Sequence, residues 1–179
     1  MGSLTSYISG SNATCTLLDK TISGVSTSAL FVEGLTTVVP VLTTNDPGLE
    51  FMLTNFSTGP GIESATITFT VTAPSSALIT DASLAVTGAT SDGIFQASEM
   101  LSNGSSLLAS NSVPTPPDVT FAATTSLAVT DTLSVSFAQL FSVTSQFSET
   151  PHAVPEPASL LLLGIGLPAV GVARRRKRS

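Results

Sequence analysis

The residues from Ala65 to Thr72 alternate strictly between apolar and threonine side chains, and this alternation constrains the fold more than any other feature of the sequence. Ile67, Phe69 and Val71 share one parity, and four threonines share the other. Successive side chains of a β-strand point to opposite faces, so the pattern predicts a strand with one buried and one polar face. Threonine is β-branched, which favours strands over helices.

Six further runs of apolar and β-branched residues predict strands in the first 150 residues. Turn signals such as Asn45-Asp46-Pro47-Gly48 and Ser91-Asp92-Gly93 separate them about every ten residues. No amphipathic helix is predicted, and a helical turn between Phe95 and Leu108 is weakened by Gly104. Short strands with regular turns predict an antiparallel β-sandwich, immunoglobulin-like or jelly-roll-like. The runs are Val25–Val32, Thr37–Leu42, Leu49–Phe56, Ala82–Thr87, Val119–Ala122 and Leu127–Phe147.

The longest of these runs supplies several large apolar side chains to the expected core. Leu133, Val135, Phe137, Phe141 and Val143 share a parity. In an uninterrupted strand residues of one parity lie on one face. The sequence therefore predicts that all five point inward.

Composition excludes several classes of protein. Serine and threonine together number 53 of 179 residues, and charged residues make up 10%, against about 25% in an ordinary soluble domain. A mean hydropathy of +0.43 excludes highly charged disorder, and a pI of about 4.4 argues against nucleic-acid binding. A single cysteine, Cys15, excludes a disulfide-stapled scaffold.

The charges are divided unevenly along the chain. All twelve acidic residues precede residue 174, where the only basic residue is Lys20, so residues 1–173 carry a net charge of −11. The remaining five basic residues form one run near the C-terminus. So sharp an asymmetry indicates two parts with different surroundings.

The boundaries of these parts follow from the change in composition after residue 150. Residues 1–150 are predicted to form one Ser/Thr-rich β-domain, and residues 151–157 an extended linker. Pro155 and Pro157 on both sides of Glu156 exclude regular helix there.

The segment after the linker is apolar and ends in positive charge. Residues 158–173 contain no charge and as a helix would span about 24 Å, somewhat less than a hydrocarbon core of about 30 Å. We expect a short transmembrane helix. The basic end, residues 174–179, predicts a stop signal with this end in the cytoplasm and the β-domain across the inner membrane. The stop-signal residues are Arg174, Arg175, Arg176, Lys177 and Arg178.

The order of these three features carries a resemblance to a known family. Val154-Pro155-Glu156-Pro157, a short apolar stretch and an Arg-rich end resemble the PEP-CTERM sorting signal of exported bacterial proteins. The same segment is also called an ice-binding protein C-terminal domain, a label that says little about the attached body. The resemblance implies recognition and processing by exosortase, a membrane enzyme, and delivery to the cell surface or the extracellular polysaccharide matrix.

Export also requires an N-terminal signal peptide, with basic residues followed by an apolar run. Residues 1–11 contain neither. We therefore expect the native precursor to begin upstream of Met1, or Met1 to be a misassigned start.

The candidate catalytic groups are few, and the sequence predicts a non-enzymatic body without a cofactor. His152 is the only histidine and lies in the Pro-flanked linker, and Cys15 has no local basic partner to lower its pKa. No nucleophile elbow, zinc motif or phosphate-binding loop occurs.

A binding module for ice, carbohydrate or calcium is the alternative function. Thr66, Thr68, Thr70 and Thr72 form a ladder on one strand face, which could order water if several such ladders lay in register. Calcium would use acidic residues at loop ends. The candidates are Asp46, Asp81 and Asp92.

Overall fold

A computed structural model describes residues 2–3, 14–18, 20–28, 36–43, 46–54, 56, 61–113 and 117–151. Within these ranges all regular secondary structure is β. The prediction of a mainly β body is therefore confirmed. The strands are β1 (Gly2–Ser3), β2 (Cys15–Leu17), β3 (Lys20–Thr27), β4 (Thr36–Val41), β5 (Gly48–Leu53), β6 (Glu63–Thr72), β7 (Ala77–Leu101), β8 (Ser106–Ser110), β9 (Asp118–Thr124) and β10 (Ser126–Pro151).

The ten strands form one connected sheet in which every pairing is antiparallel. The order along its main path is β1-β4-β5-β10-β6-β3-β2, and β7 joins the other edge of β10 and carries β8 and β9. The long strands β7 and β10 pair along nearly their whole length.

Register interruptions in the middle of β7 and β10 divide this one sheet into two parts, which we call layers. Ring contacts from one part to the other show that their inner faces meet. The first layer consists of β2, β3, β6, β8, residues 94–101 of β7 and residues 126–136 of β10. The second layer comprises β1, β4, β5, β9, residues 77–90 and residues 138–151.

Phe69 is the clearest contact between the layers. This β6 side chain is 2% exposed, and its ring centroid lies 5.9 Å from that of Phe51 and 6.3 Å from that of Phe147, both in the second layer. Such tilted and edge-on contacts are the preferred geometry of aromatic pairs. The predicted alternation of β6 is confirmed, since Ile67, Phe69 and Val71 are buried.

The bend between the two layers depends on two interruptions of the register between β7 and β10. Phe137 lies opposite the three residues Ser91–Gly93, and Phe141 is an extra residue without a partner on β7. A bulge reverses the alternation of a strand. Phe137 is therefore 57% exposed and Phe141 42% exposed, and the prediction that they point inward is wrong.

The structure differs from two local sequence signals in β7 and β8. The Ser91-Asp92-Gly93 signal does not end a strand, because β7 continues through it and only bends there. The segment from Phe95 to Leu108 forms the end of β7, a turn at Gly104 and the start of β8 rather than a helical turn.

Candidate functional site

The residues predicted to direct sorting lie outside the described part of the chain. The last described residue is Pro151, at the end of β10. Among the residues that the structure describes, no helix is long and apolar enough to cross a membrane. The roles assigned to the tail therefore stay predictions. They concern His152, the motif Val154-Pro155-Glu156-Pro157, the stretch 158–173 and the run Arg174–Arg178.

The β-domain ends next to a buried ion pair. Lys20 on β3 lies 3.3 Å from Glu149 on β10, measured from Nζ to Oε1, and the two side chains are 2% and 7% exposed. Lys20 belongs to the first layer and Glu149 to the second. The pair therefore joins the layers two residues before Pro151, close to the start of the predicted linker.

A second buried polar cluster lies in the middle of the core. Asp131 on β10 and Glu99 on β7 are direct partners across the two strands, and both are 0% exposed. Ser145, from the second layer, donates a hydrogen bond from its hydroxyl to Asp131 Oδ2 at 3.2 Å. Among the described residues, Asp131 Oδ1 and both oxygens of Glu99 have no hydrogen-bond partner of normal geometry.

The surroundings of these two acids favour their neutral forms. Burial raises the pKa of Glu99, and the charge of Asp131 raises it further. Burial also raises the pKa of Asp131, although the Ser145 hydroxyl and the neighbouring Glu99 carboxyl oppose that rise. Desolvation disfavours a charged carboxylate, and two adjacent carboxylates disfavour each other's ionisation.

The outer surface of the first layer carries threonine and serine in register, and we call it the hydroxyl face. Thr68 lies directly opposite Thr130, and Thr66 opposite Thr132. On the other side of β6 the hydroxyl of Ser26 lies 2.6 Å from that of Thr68. Hydroxyl side chains therefore lie on three adjacent strands, although Ala128 lies opposite Thr70 and the register of β3 shifts between Ser23 and Ser26. The face consists of Thr21, Ser23, Ser26, Thr66, Thr68, Thr70, Thr72, Thr130 and Thr132.

The outer surface of the second layer is acidic. Asp46 and Asp81 meet at Ser148, whose backbone N–H donates to Asp81 Oδ1 at 3.2 Å and whose hydroxyl donates to Asp46 Oδ1. Glu50 and Asp118 lie on the same face. The third calcium candidate, Asp92, lies apart at the bend.

No group of three or more histidine, cysteine, aspartate or glutamate side chains that could hold a metal occurs among the described residues. Cys15 is a free, half-buried thiol packed against the core.

The buried acid pair was missed by sequence reasoning, although a signal for it exists. Asp131 has the same parity as Leu127, Val129 and Leu133, which all point inward. Glu99 likewise has the parity of its buried β7 neighbours. Strict application of period two would have placed both acids in the core.

Comparisons with known proteins give a family match for the tail and a distant structural similarity for the chain. Residues 153–178 match the family model described as the PEP-CTERM protein-sorting motif. No curated protein matches the sequence. One solved structure, described as TmCBM61 in complex with beta-1,4-galactotriose, is similar at a TM-score of 0.37 and 14% identity, covering 73% of this chain and 90% of that chain.

Proposed function

The chain carries a PEP-CTERM protein-sorting motif, and from this premise we propose that it is a non-enzymatic protein that a bacterium exports to its surface or extracellular matrix. The motif indicates an exported protein that is anchored in the membrane during sorting. In our proposal residues 158–173 cross the inner membrane, the β-domain lies outside the cytoplasm, and an exosortase processes the chain at or near Pro155-Glu156-Pro157.

The arrangement of the tail supports this proposal physically. The β-domain reaches Pro151, and Glu156 follows after only a few residues. Two flanking prolines favour an extended backbone at Glu156, which suits recognition by an enzyme. The short apolar segment would hold this peptide at the membrane surface, and the run Arg174–Arg178 would stop translocation.

The buried acids support a non-enzymatic body. Burial raises the pKa values of the Glu99 and Asp131 carboxyl groups, and raised pKa values are often found in catalytic groups. Both residues are 0% exposed. A side chain sealed in the core makes no contact with an external substrate.

The sorting proposal is tested in a host that encodes an exosortase. Glu156 is replaced by glutamine, and Pro155 and Pro157 by alanine, in the full precursor. We expect the unaltered protein to be shortened and to leave the membrane fraction, and the variant to remain there at full length. The control is Glu63→Gln, which removes one exposed charge at the start of β6. Identical processing and location of variant and control would refute the proposal.

The hydroxyl face supports a second candidate function, in which the body binds an ordered hydroxyl lattice such as ice or a neutral carbohydrate. Neighbouring strands are about 4.8 Å apart, and alternate residues along a strand about 6.8 Å apart. Thr66, Thr68, Thr130 and Thr132 therefore present hydroxyls in a regular array. The described strands of this face place no charged side chain between them.

The second candidate is tested by substitution in the centre of the hydroxyl face. Thr68→Lys and Thr130→Lys place charges within the array, and Thr120→Lys places one on the exposed surface of β9 as a matched control. We expect the first two variants alone to lose ice recrystallisation inhibition or binding to neutral glycans. An unaltered protein without either activity would refute this function and leave the sorting proposal intact.

A further inference from the structure

The register of the sheet forces two acids together inside the protein. Asp131 and Glu99 are directly opposite in the antiparallel pair of β10 and β7. Side chains opposite each other have Cβ atoms about 5 Å apart on the same face. In this pair that face is the core, because both residues are 0% exposed.

The two acids also connect the layers. Ser145 lies in the part of β10 that belongs to the second layer, and its hydroxyl bonds to Asp131 in the first. Ser145 is itself 0% exposed. The cluster of Glu99, Asp131 and Ser145 is therefore a second polar contact between the layers, apart from the ion pair of Lys20 and Glu149.

The described residues around the cluster supply no positive charge. The remaining buried ionic groups, Lys20 and Glu149, pair with each other at the end of the layers. A buried carboxylate without a cation costs several kcal/mol. The cross-strand neighbours from the adjoining elements are Ile67 beside Asp131, Leu107 beside Glu99, and Leu49 and Leu84 beside Ser145.

We propose that Glu99 and Asp131 share a proton and, with Ser145, form a polar contact that stabilises the packing of the two layers. This contact depends on pH and weakens under alkaline conditions. With the proton present, the neutral carboxyl of Glu99 lies beside the carboxylate of Asp131, and Ser145 donates to that carboxylate. Loss of the proton leaves two adjacent negative charges in the core. Separation of the layers, which admits water, relieves their repulsion.

The direction of the effect follows from proton linkage. Unfolding restores the two carboxyls to ordinary pKa values of 4.5 and 3.8, whereas the folded protein holds its protons to higher pH. Above these ordinary values the folded state binds more protons than the unfolded state, so stability decreases as pH rises. The loss is complete once pH exceeds the raised pKa values.

The experiment follows urea unfolding of the full chain in detergent micelles, by circular dichroism, between about pH 5 and about pH 10. We expect the midpoint of the unaltered protein to fall steadily with pH. The midpoint of the Glu99→Gln/Asp131→Asn double variant should stay level, and that of the Glu63→Gln control should fall like the unaltered protein. A level midpoint in the unaltered protein, or an equal fall in the double variant, would overturn the proposal.

Two further measurements keep the proposal testable if the double variant does not fold. Infrared spectroscopy of the unaltered protein should show a protonated carboxyl near neutral pH, where ordinary carboxyls are ionised, and its absence would overturn the proposal. Calcium is added at alkaline pH as the alternative neutralising ion. A large calcium-dependent rise of the midpoint in the unaltered protein, absent after chelation and from Asp131→Asn, would assign the cluster to a cation instead.

Discussion

The carbonyl oxygen of Phe137 accepts a hydrogen bond of 3.1 Å from Thr90 Oγ1 across the bend of the sheet. Phe137 has a φ of 50°, a conformation that a bulky L-residue rarely adopts. The same threonine oxygen accepts a hydrogen bond from the backbone N–H of Gly93. Thr90 thus holds both strands in the geometry that brings the two layers face to face.

Replacing Phe137 with glycine should stabilise the protein by about 0.5 kcal/mol. The left-handed conformation costs an ordinary residue about 1–2 kcal/mol, and the greater freedom of glycine in the unfolded chain offsets part of that gain. Phe141→Gly is the matched control, since Phe141 is also exposed and has no positive φ. It should destabilise by about 1 kcal/mol. Urea unfolding measures the free energy of unfolding of both variants. Equal losses of stability would contradict the inference that the backbone at Phe137 is strained.

Replacing Gly93 with alanine should destabilise the protein by about 2 kcal/mol or more. A Cβ atom at Gly93 would lie 2.2 Å from the carbonyl oxygens of both Ser136 and Phe137, so the strands would have to separate at the bend. The neighbouring Ser91→Ala, at an exposed position of the same segment, should leave the unfolding midpoint nearly unchanged. Similar midpoints for the two variants would show that the bend does not depend on this close approach.

The sequence was sufficient to predict which side chains of β6 are buried, because alternating residues lie on opposite faces of a strand. Ile67, Phe69 and Val71 are buried as predicted, and the four threonines lie on the outer face. The same rule failed at Phe137 and Phe141. A bulge places an extra residue in one of two paired strands, so the residues after it point to the opposite faces. Its position depends on how both strands pair rather than on the sequence of either one alone.

Local sequence patterns also could not predict which distant segments of the chain come into contact. Asp131 and Ser145 are on one strand but in different layers, and their contact requires the bend. The assignment of outward residues to a hydroxyl face and an acidic face likewise depends on which strands are neighbours. The sorting motif was readable without a fold, because its signal consists of consecutive residue types, and the family match covers residues 153–178.

The ion pair between Lys20 and Glu149 yields a third prediction. Lys20→Met removes the cation and should lower the free energy of unfolding by about 3 kcal/mol, because the carboxylate of Glu149 remains in the core. Lys20→Met/Glu149→Leu removes both charges and should recover most of that loss. A double variant as unstable as the single one would show that the pair contributes mainly through packing. Urea unfolding of the two variants makes the comparison.

The contact of Phe69 with the second layer yields the last prediction. Phe69→Ala leaves a cavity between Phe51 and Phe147 and should destabilise the protein by about 3–5 kcal/mol. Phe69→Leu keeps most of the apolar volume and should cost about 1.5 kcal/mol or less. The matched control is Phe141→Ala, since that ring is 42% exposed and should cost far less. Urea unfolding would contradict the assignment of Phe69 to the interface between the layers if the two alanine variants lost equal stability.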